Sequence, residues 1–158
     1  FLPDDSGSTK RPDLISVLGL LTFINTGYFI LIYLFGMFGM MAIGQMPLDE
    51  FTTMMNDAAG PYIMGDEQRA MLDQMIVILH ASGTTLMLLF LLRTVARLIG
   101  AIGIWRGRKQ GFYIYAAAQL VGLFIPLLVL PLSFLGIFGP FMTVGITALY
   151  GSQLKRFS

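Results

Sequence analysis

The stretch of sequence that decides the fold is residues 75–105, MIVILHASGTTLMLLFLLRTVARLIGAIGIW, an apolar run with Arg93 and Arg97 in its interior. At 1.5 Å per residue, a helix of this length exceeds the roughly 30 Å hydrocarbon core of a bilayer. The basic run Arg106-Gly107-Arg108-Lys109 follows it directly. This pattern predicts a transmembrane helix with a basic end, and the rest of the chain can be placed relative to it.

The composition of the whole chain is typical of a membrane protein. Of its 158 residues, 56% are hydrophobic and 12% charged, whereas soluble domains average about 25% charged residues. This length accommodates roughly four spans of about 20 residues and leaves no room for a soluble catalytic domain. A net charge of +1, with dispersed basic residues, does not indicate a nucleic-acid partner. The absence of cysteine excludes disulfides and thiolate catalysis.

Four apolar stretches predict an all-α fold, an integral membrane four-helix bundle in one domain over residues 13–158. The spans are expected at about residues 14–43, 71–105, 112–131 and 136–154. Residues 1–12 are polar and without periodicity, which predicts a flexible N-terminus. The turn between the third and fourth spans is expected either at residues 131–133 or at Gly139-Pro140, because proline and glycine interrupt helices.

Residues 44–70, between the first two spans, form an acidic, methionine-rich extramembrane segment. Apolar side chains at helical spacing predict a short amphipathic helix over residues 47–58, on the membrane surface or against the bundle: Leu48, Phe51, Met54, Met55 and Ala58. Nine of the eleven methionines lie between Met37 and Met75. Thioethers suit copper(I), but without a cysteine or a second histidine we favour apolar packing. No metal or cofactor is predicted.

The basic residues predict the orientation of the chain. They cluster at the N-terminus, at the connection between the second and third spans, and at the C-terminus: Lys10, Arg11, Arg106, Arg108, Lys109, Lys155 and Arg156. In a four-span topology these regions share one side, which the positive-inside rule makes cytoplasmic. Both termini are therefore expected in the cytoplasm, and residues 44–70 outside.

The arginine pair is the strongest candidate for a functional site. Arg93 and Arg97 precede Trp105 by twelve and eight residues, or roughly 18 and 12 Å along a helix. An arginine at mid-membrane costs at least about 2.5 kcal/mol and usually faces a partner, a cavity or the bundle interior. The other three predicted spans contain no Asp or Glu. Three interpretations remain open: contact with a partner protein or lipid headgroup, snorkelling without a special role, or a small anionic ligand.

Three further polar residues are candidates for polar contacts within the spans. Asn25 lies near the middle of the first span and is expected to form an interhelical hydrogen bond, with ligand binding as the alternative. His80 is the only histidine, and Thr84 follows it one helical turn later. A lone histidine favours a hydrogen-bonded structural role over a ligand or proton carrier. Ser82 does not share its helix face, so no nucleophile-base pair is predicted.

Small residues recur at helical spacing, which predicts close helix approach. Ala96 and Gly100 are four apart, as are Gly103 and Gly107. Short stretches of the chain carry a resemblance to known proteins: residues 11–14, 17–18, 21–24, 103–105, 108–115, 149–150 and 154–156. In these stretches the chain resembles a set of small four-span bacterial integral membrane proteins of uncharacterised function. The resemblance implies a helix bundle in the bacterial cytoplasmic (inner) membrane and transfers no catalytic residue.

These observations favour a non-enzymatic function. Our leading hypothesis is an accessory or assembly subunit of a larger bacterial membrane protein complex, in contact with membrane lipids and held by helix packing and the two intramembrane arginines. The alternative is a small transporter or channel-like homo-oligomer with an anion site at the arginine pair. An intramembrane enzyme is the least favoured class, because no catalytic constellation is visible.

Overall fold

The computed structural model describes residues 1–63, 65–128, 136 and 138–158, without the side chain of Phe138. Within these residues the chain is helical and contains no strand. The described residues contain five α-helices, in order α1 (Asp13–Ile43), α2 (Leu48–Ala59), α3 (Asp66–Trp105), α4 (Lys109–Phe124) and α5 (Phe138–Gly151). Short 3-10 turns follow α2 at Gly60–Tyr62, α4 at Pro126–Leu128 and α5 at Leu154–Arg156.

Three of the described helical stretches are long and apolar enough to cross a membrane, namely Asp13–Ile43, Asp66–Trp105 and Lys109–Leu128. Asp13 lies in the first turn of α1, and Asp66 and Glu67 lie in the first turn of α3. The positive end of the helix dipole favours acidic residues at these positions. The third stretch begins three residues before the predicted Phe112. α5 contains 14 residues, about 21 Å of helix, which falls short of a bilayer by itself.

The turn predicted at Gly139-Pro140 is wrong, because both residues lie in the first turn of α5. Proline is tolerated there, since the first helical amides have no partner within the helix. The alternative turn at residues 131–133 lies outside the described residues. α4 ends before Pro126, which opens the 3-10 turn Pro126–Leu128.

The predicted amphipathic helix over residues 47–58 is confirmed as α2, one residue later at each end. Asp49 and Glu50 occupy its first turn, as the helix dipole favours. The buried stripe is narrower than the sequence pattern indicates. Phe51 is 1% exposed, whereas Leu48 and Met54 are 41% and 45% exposed.

The described residues divide into two compact units, and α1 and α3 contribute to both. The first unit comprises residues 1–32 and 90–158, and the second comprises residues 33–89. The core of the second unit is built on Phe51, Leu72 and Ile76. Partly buried methionines pack against it: Met46, Met55 and Met75. This placement fits the apolar packing role favoured for the methionine-rich segment.

The core of the first unit combines residues from α1, α3, α4, α5 and the C-terminal segment. Its buried members are Ile15, Ala101, Ile104, Tyr115, Tyr150 and Phe157. The rings of Tyr115 and Tyr150 meet edge to face at 5.0 Å, and the hydroxyls of Thr22 and Tyr150 are 2.9 Å apart. These contacts bring α1, α4 and α5 together around the last turns of α3.

The N-terminal segment, expected to be flexible, is held by the C-terminal segment in the first unit. Phe1 packs on Phe157 with ring centroids 5.9 Å apart. Arg156 forms an ion pair of 2.8 Å with Asp4. It also donates hydrogen bonds to the main-chain carbonyls of Leu2, Ser8 and Lys10. Flexibility was predicted from the polar composition of this segment. Composition does not show that one arginine far away in sequence can donate hydrogen bonds to several of its carbonyls.

The pH dependence of this contact can be predicted from Asp4. The Ser6 hydroxyl, the Ser8 amide and Arg156 all hydrogen-bond its carboxylate and hold the pKa of Asp4 well below its ordinary value. A lowered folded-state pKa stabilises the segment above the ordinary value of about 3.9, and this stabilisation is lost as the pH falls through the folded-state value. We therefore expect the Ser6 and Ser8 amides to stay protected from hydrogen exchange at pH 5–7 and to lose protection in stronger acid.

The matched variants for this experiment are Asp4→Asn and Asp5→Asn. Asp4→Asn should speed exchange of the Ser6 and Ser8 amides already at neutral pH, because the amide oxygen is a weaker acceptor than a carboxylate. Asp5 is exposed, and its replacement should leave exchange unchanged. Equal exchange in Asp4→Asn and the unmodified chain would contradict the expectation.

Candidate functional site

Glycines allow α3 to lie directly against α4 near the arginine pair. A Cβ added to Gly103 would lie 2.6 Å from the Gly111 Cα, and one added to Gly100 would lie 2.5 Å from the Tyr115 amide nitrogen. Both distances are shorter than real Cβ contacts, so only glycine fits. The close approach predicted from the small residues is thus confirmed for Gly100 and Gly103. It brings side chains of α4 within reach of the arginines of α3.

The end of α3 is fixed by a glycine in the left-handed conformation. Gly107 has φ +75°. Its amide donates to the Ile104 carbonyl at 2.8 Å, and the Arg108 amide donates to the Gly103 carbonyl at 2.9 Å. This is the Schellman pattern, which satisfies the last carbonyls of a helix. The chain can therefore reverse directly into α4.

Arg93 points towards α4. Its Nη2 donates a hydrogen bond to Gln119 Oε1 at 3.2 Å, and Gln119 is 2% exposed. The Gln119 Nε2 in turn donates to the Tyr115 hydroxyl at 3.2 Å. Gly122 leaves the space for the guanidinium, because a Cβ there would overlap Arg93. A buried amide thus links a cation of α3 to a phenol of α4.

Arg97 points towards α1, where its Nη2 donates a hydrogen bond of 2.5 Å to Asn25 Oδ1. The depth of this contact follows from Trp105, which packs against Gly19 of α1. Asn25 lies six residues beyond Gly19, and Arg97 lies eight residues before Trp105, about 9 and 12 Å along their helices. The bond therefore joins residues at similar depth. This geometry disfavours the interpretation in which Arg97 snorkels to the basic end of α3.

Arg93 and Arg97 each donate a hydrogen bond to an uncharged side-chain amide. Their hydrogen-bond acceptors at Asn25 and Gln119 are amide oxygens, which accept a bond but carry no charge. The sequence contains no Asp or Glu after Asp73 and none between Asp13 and Asp49. The membrane-spanning parts of the first unit therefore contribute no carboxylate to this region. The site is suited to attract an anionic group.

The Arg97–Asn25 pair lies at the surface of the first unit. Asn25 is exposed, and Arg97 is partly exposed. The neighbouring side chains on α1 are large, apolar and open: Leu21 is 58%, Ile24 64% and Tyr28 62% exposed. A charge-assisted hydrogen bond thus lies within an otherwise apolar surface at the middle of a candidate span.

Comparisons of the chain with protein-family models, curated proteins and solved structures give no match.

The remaining candidate residues lie in the second unit. The ring of His80 is within hydrogen-bond distance of the Met46 carbonyl, with Nε2 at 2.9 Å, and lies near Phe51 with ring centroids 6.1 Å apart. Because a carbonyl only accepts, Nε2 carries the proton of this bond. His80 thereby ties α3 to the segment before α2. Thr84 is partly buried.

Three residues of the site are not among the sequence candidates. Gln119, Tyr115 and Gly122 all belong to α4 and lie on one helical face, at spacings of three and four residues. Gln119 carries the only usable signal, because it is an isolated amide within a long uncharged run. The partner of that amide cannot be read without knowing which helices are neighbours.

Proposed function

We propose that this chain is a non-enzymatic integral membrane subunit of a larger membrane protein complex, and that Arg97 with Asn25 forms part of its contact with a partner. The observation that carries the proposal is the exposed Arg97–Asn25 hydrogen bond on an apolar surface. Exposed to lipid tails, this polar group would lose the hydration that water supplies. A partner helix with an acidic side chain would supply both hydrogen bonds and charge.

The surroundings of the Arg97–Asn25 pair support a protein contact. Leu21, Ile24 and Tyr28 surround the polar pair with open apolar area. Protein contacts commonly place a few polar groups inside an apolar patch, and an aromatic side chain such as Tyr28 is typical of their central residues. A transmembrane helix packed here would cover the patch and desolvate the charge at the same time.

The two arginines play different parts in this proposal. Arg93 is held against α4 by buried Gln119, so it contributes to the internal packing and to the positive field. Arg97 bonds an exposed residue and is the one placed to contact a partner. A variant at Arg97 therefore tests recognition more cleanly than a variant at Arg93.

The proposed topology has four spans in a bacterial cytoplasmic membrane, with both termini in the cytoplasm. The fourth span covers residues 136–154 and includes α5. Its support is the clustering of basic residues at the termini and at the α3–α4 connection, together with the positive-inside rule. Membrane lipids surround the exposed apolar side chains that no partner covers.

The experiment is native purification of the tagged full chain in nanodiscs, followed by mass spectrometry of the proteins that accompany it. The unmodified chain should carry reproducible, stoichiometric membrane polypeptides. Arg97→Gln should lower their recovery by about thirtyfold, because removing one member of a desolvated charge pair leaves the other without its partner. Arg97→Lys should keep part of the interaction, because the charge remains.

Arg69→Gln provides the matched control, because Arg69 lies on the same helix but is exposed in its first turn. It should leave the accompanying polypeptides unchanged. Full recovery of the partners with Arg97→Gln would contradict the proposed contact. A lone chain or a homo-oligomer would contradict the subunit proposal and direct attention to anion flux through the arginine pair.

A further inference from the structure

A second cationic region lies apart from the arginine pair, where α3 ends and α4 begins. An open groove of 190 Å³ is lined there by Ile99, Ile102, Ile114, Arg106, Arg108 and Gln110. We name this feature the basic groove. Gly103 and Gly111 also line it, and their close approach draws the two helices together beside it.

The charges of the basic groove are open to a ligand. Arg106 and Arg108 are both exposed. Among the described residues, neither guanidinium makes an ion pair or a side-chain hydrogen bond. No acidic residue lines the groove, and the sequence has none after Asp73. No carboxylate in the lining of the groove therefore neutralises these two charges.

The apolar part of the basic groove is also open. Ile99, Ile102 and Ile114 are 55%, 37% and 43% exposed. Ile99 and Ile102 of α3 precede Arg106, and Ile114 of α4 follows Arg108. All three therefore lie farther from the α3–α4 connection than the two arginines do. The groove thus combines a cationic end near the α3–α4 connection with an apolar wall along the helices. A molecule with an anionic head and a hydrocarbon tail complements both parts.

We propose that the basic groove binds an anionic phospholipid, with the lipid phosphate between Arg106 and Arg108 and an acyl chain against the isoleucines. Guanidinium groups bind phosphate through charge-assisted hydrogen bonds. Basic pockets between transmembrane helices at the cytoplasmic side suit such headgroups. Gln110 adds an amide at the same end for the ester or headgroup oxygens. The proposal rests on the membrane location proposed above but not on a partner protein.

The test measures lipid binding to the purified full chain by native mass spectrometry. Phosphatidylglycerol and phosphatidylcholine with identical palmitoyl and oleoyl chains are added in a mild detergent. We expect the unmodified chain to prefer phosphatidylglycerol. Arg106→Gln with Arg108→Gln should weaken phosphatidylglycerol binding by about tenfold to thirtyfold, from the electrostatic contribution of each basic residue near an anionic lipid.

The matched control is Lys109→Gln with Lys155→Gln. It removes the same charge from exposed positions on the same predicted side, but neither residue lines the groove. It should keep phosphatidylglycerol binding within about twofold of the unmodified chain, as expected for exposed charges. An equal loss in both double variants would contradict the proposal, because surface charge alone would then explain binding. Equal binding of the two lipids by the unmodified chain would also contradict it.

Two further probes separate the lipid from free phosphate. Phosphatidylglycerol with two hexanoyl chains should bind more weakly than the long-chain lipid, because less hydrocarbon contacts the isoleucines. Inorganic phosphate at millimolar concentration should displace little long-chain lipid. Equal binding of short and long chains, or ready displacement by phosphate, would contradict the acyl-chain contact. These measurements involve no partner protein, so they can fail or succeed independently of the subunit proposal.

Discussion

Replacing Gly103 with alanine is expected to lower the free energy of unfolding by about 3 kcal/mol, the upper range for overpacking a close contact. The added Cβ would lie 2.6 Å from the Gly111 Cα. Because the obstacle is main chain on both helices, no side-chain rotation relieves the clash. α3 and α4 must separate, and the Gly100 contact with Tyr115 separates with them. Titration with sodium dodecyl sulfate in a mild detergent measures the change.

Gly27→Ala provides the matched control for Gly103→Ala. Gly27 lies within α1, and nothing stands within 4 Å of a Cβ added there. Alanine has the higher helix propensity by about 1 kcal/mol, so this variant should be neutral or more stable than the unmodified chain. The two substitutions change the same atoms and differ only in their surroundings. Equal stability of the two variants would show that the α3–α4 contact is not as close as described.

Replacing Gln119 with leucine is expected to cost about 2 to 3 kcal/mol. Gln119 is 2% exposed and bonds both Arg93 and the Tyr115 hydroxyl. Leucine fills a similar volume but removes these bonds, and a buried charged group that loses a hydrogen bond costs more than a neutral one. The same unfolding titration measures the loss. Gln110→Leu, at an exposed position on the same helix, should change stability by less than about 0.5 kcal/mol.

A double-mutant cycle separates the Arg93–Gln119 bond from general packing. The variant with both Gln119→Leu and Arg93→Leu should be more stable than Gln119→Leu alone, because no guanidinium then remains to be satisfied. Removing both partners of a buried polar pair is often nearly neutral, whereas removing one is not. Additive losses from the two single variants would mean that Arg93 and Gln119 contribute independently.

The helices were predictable from the sequence to different degrees. Long apolar runs with acidic first turns indicate α1 and α3, because hydrophobicity and the helix dipole act locally. The amphipathic spacing of α2 is equally local. The start of α5 was not predictable, since Gly139-Pro140 is compatible both with a turn between helices and with the first turn of a helix. The contact of Arg156 with residues 2–10 depends on the chain ends meeting, which no local pattern encodes.

The candidate site was predictable only in part. The energetic cost of an arginine in a membrane marks Arg93 and Arg97 without any structure, and an isolated amide marks Asn25. Gln119 was missed because its role depends on which residue of α3 it faces, and the spacing of the glycines does not specify that pairing. Arg93 bonds Gln119 of α4 and Arg97 bonds Asn25 of α1, and spacing alone does not show which neighbouring helix each side chain meets.

The composition and mass of the native particle that contains the unmodified chain distinguish a subunit of a complex from an independent protein. The particle would be extracted at its natural abundance without denaturing detergent. A non-enzymatic subunit predicts a particle that contains other membrane polypeptides at fixed stoichiometry, with a mass that is not a multiple of the 17.4 kDa chain. A particle made of this chain and lipid alone would contradict the account.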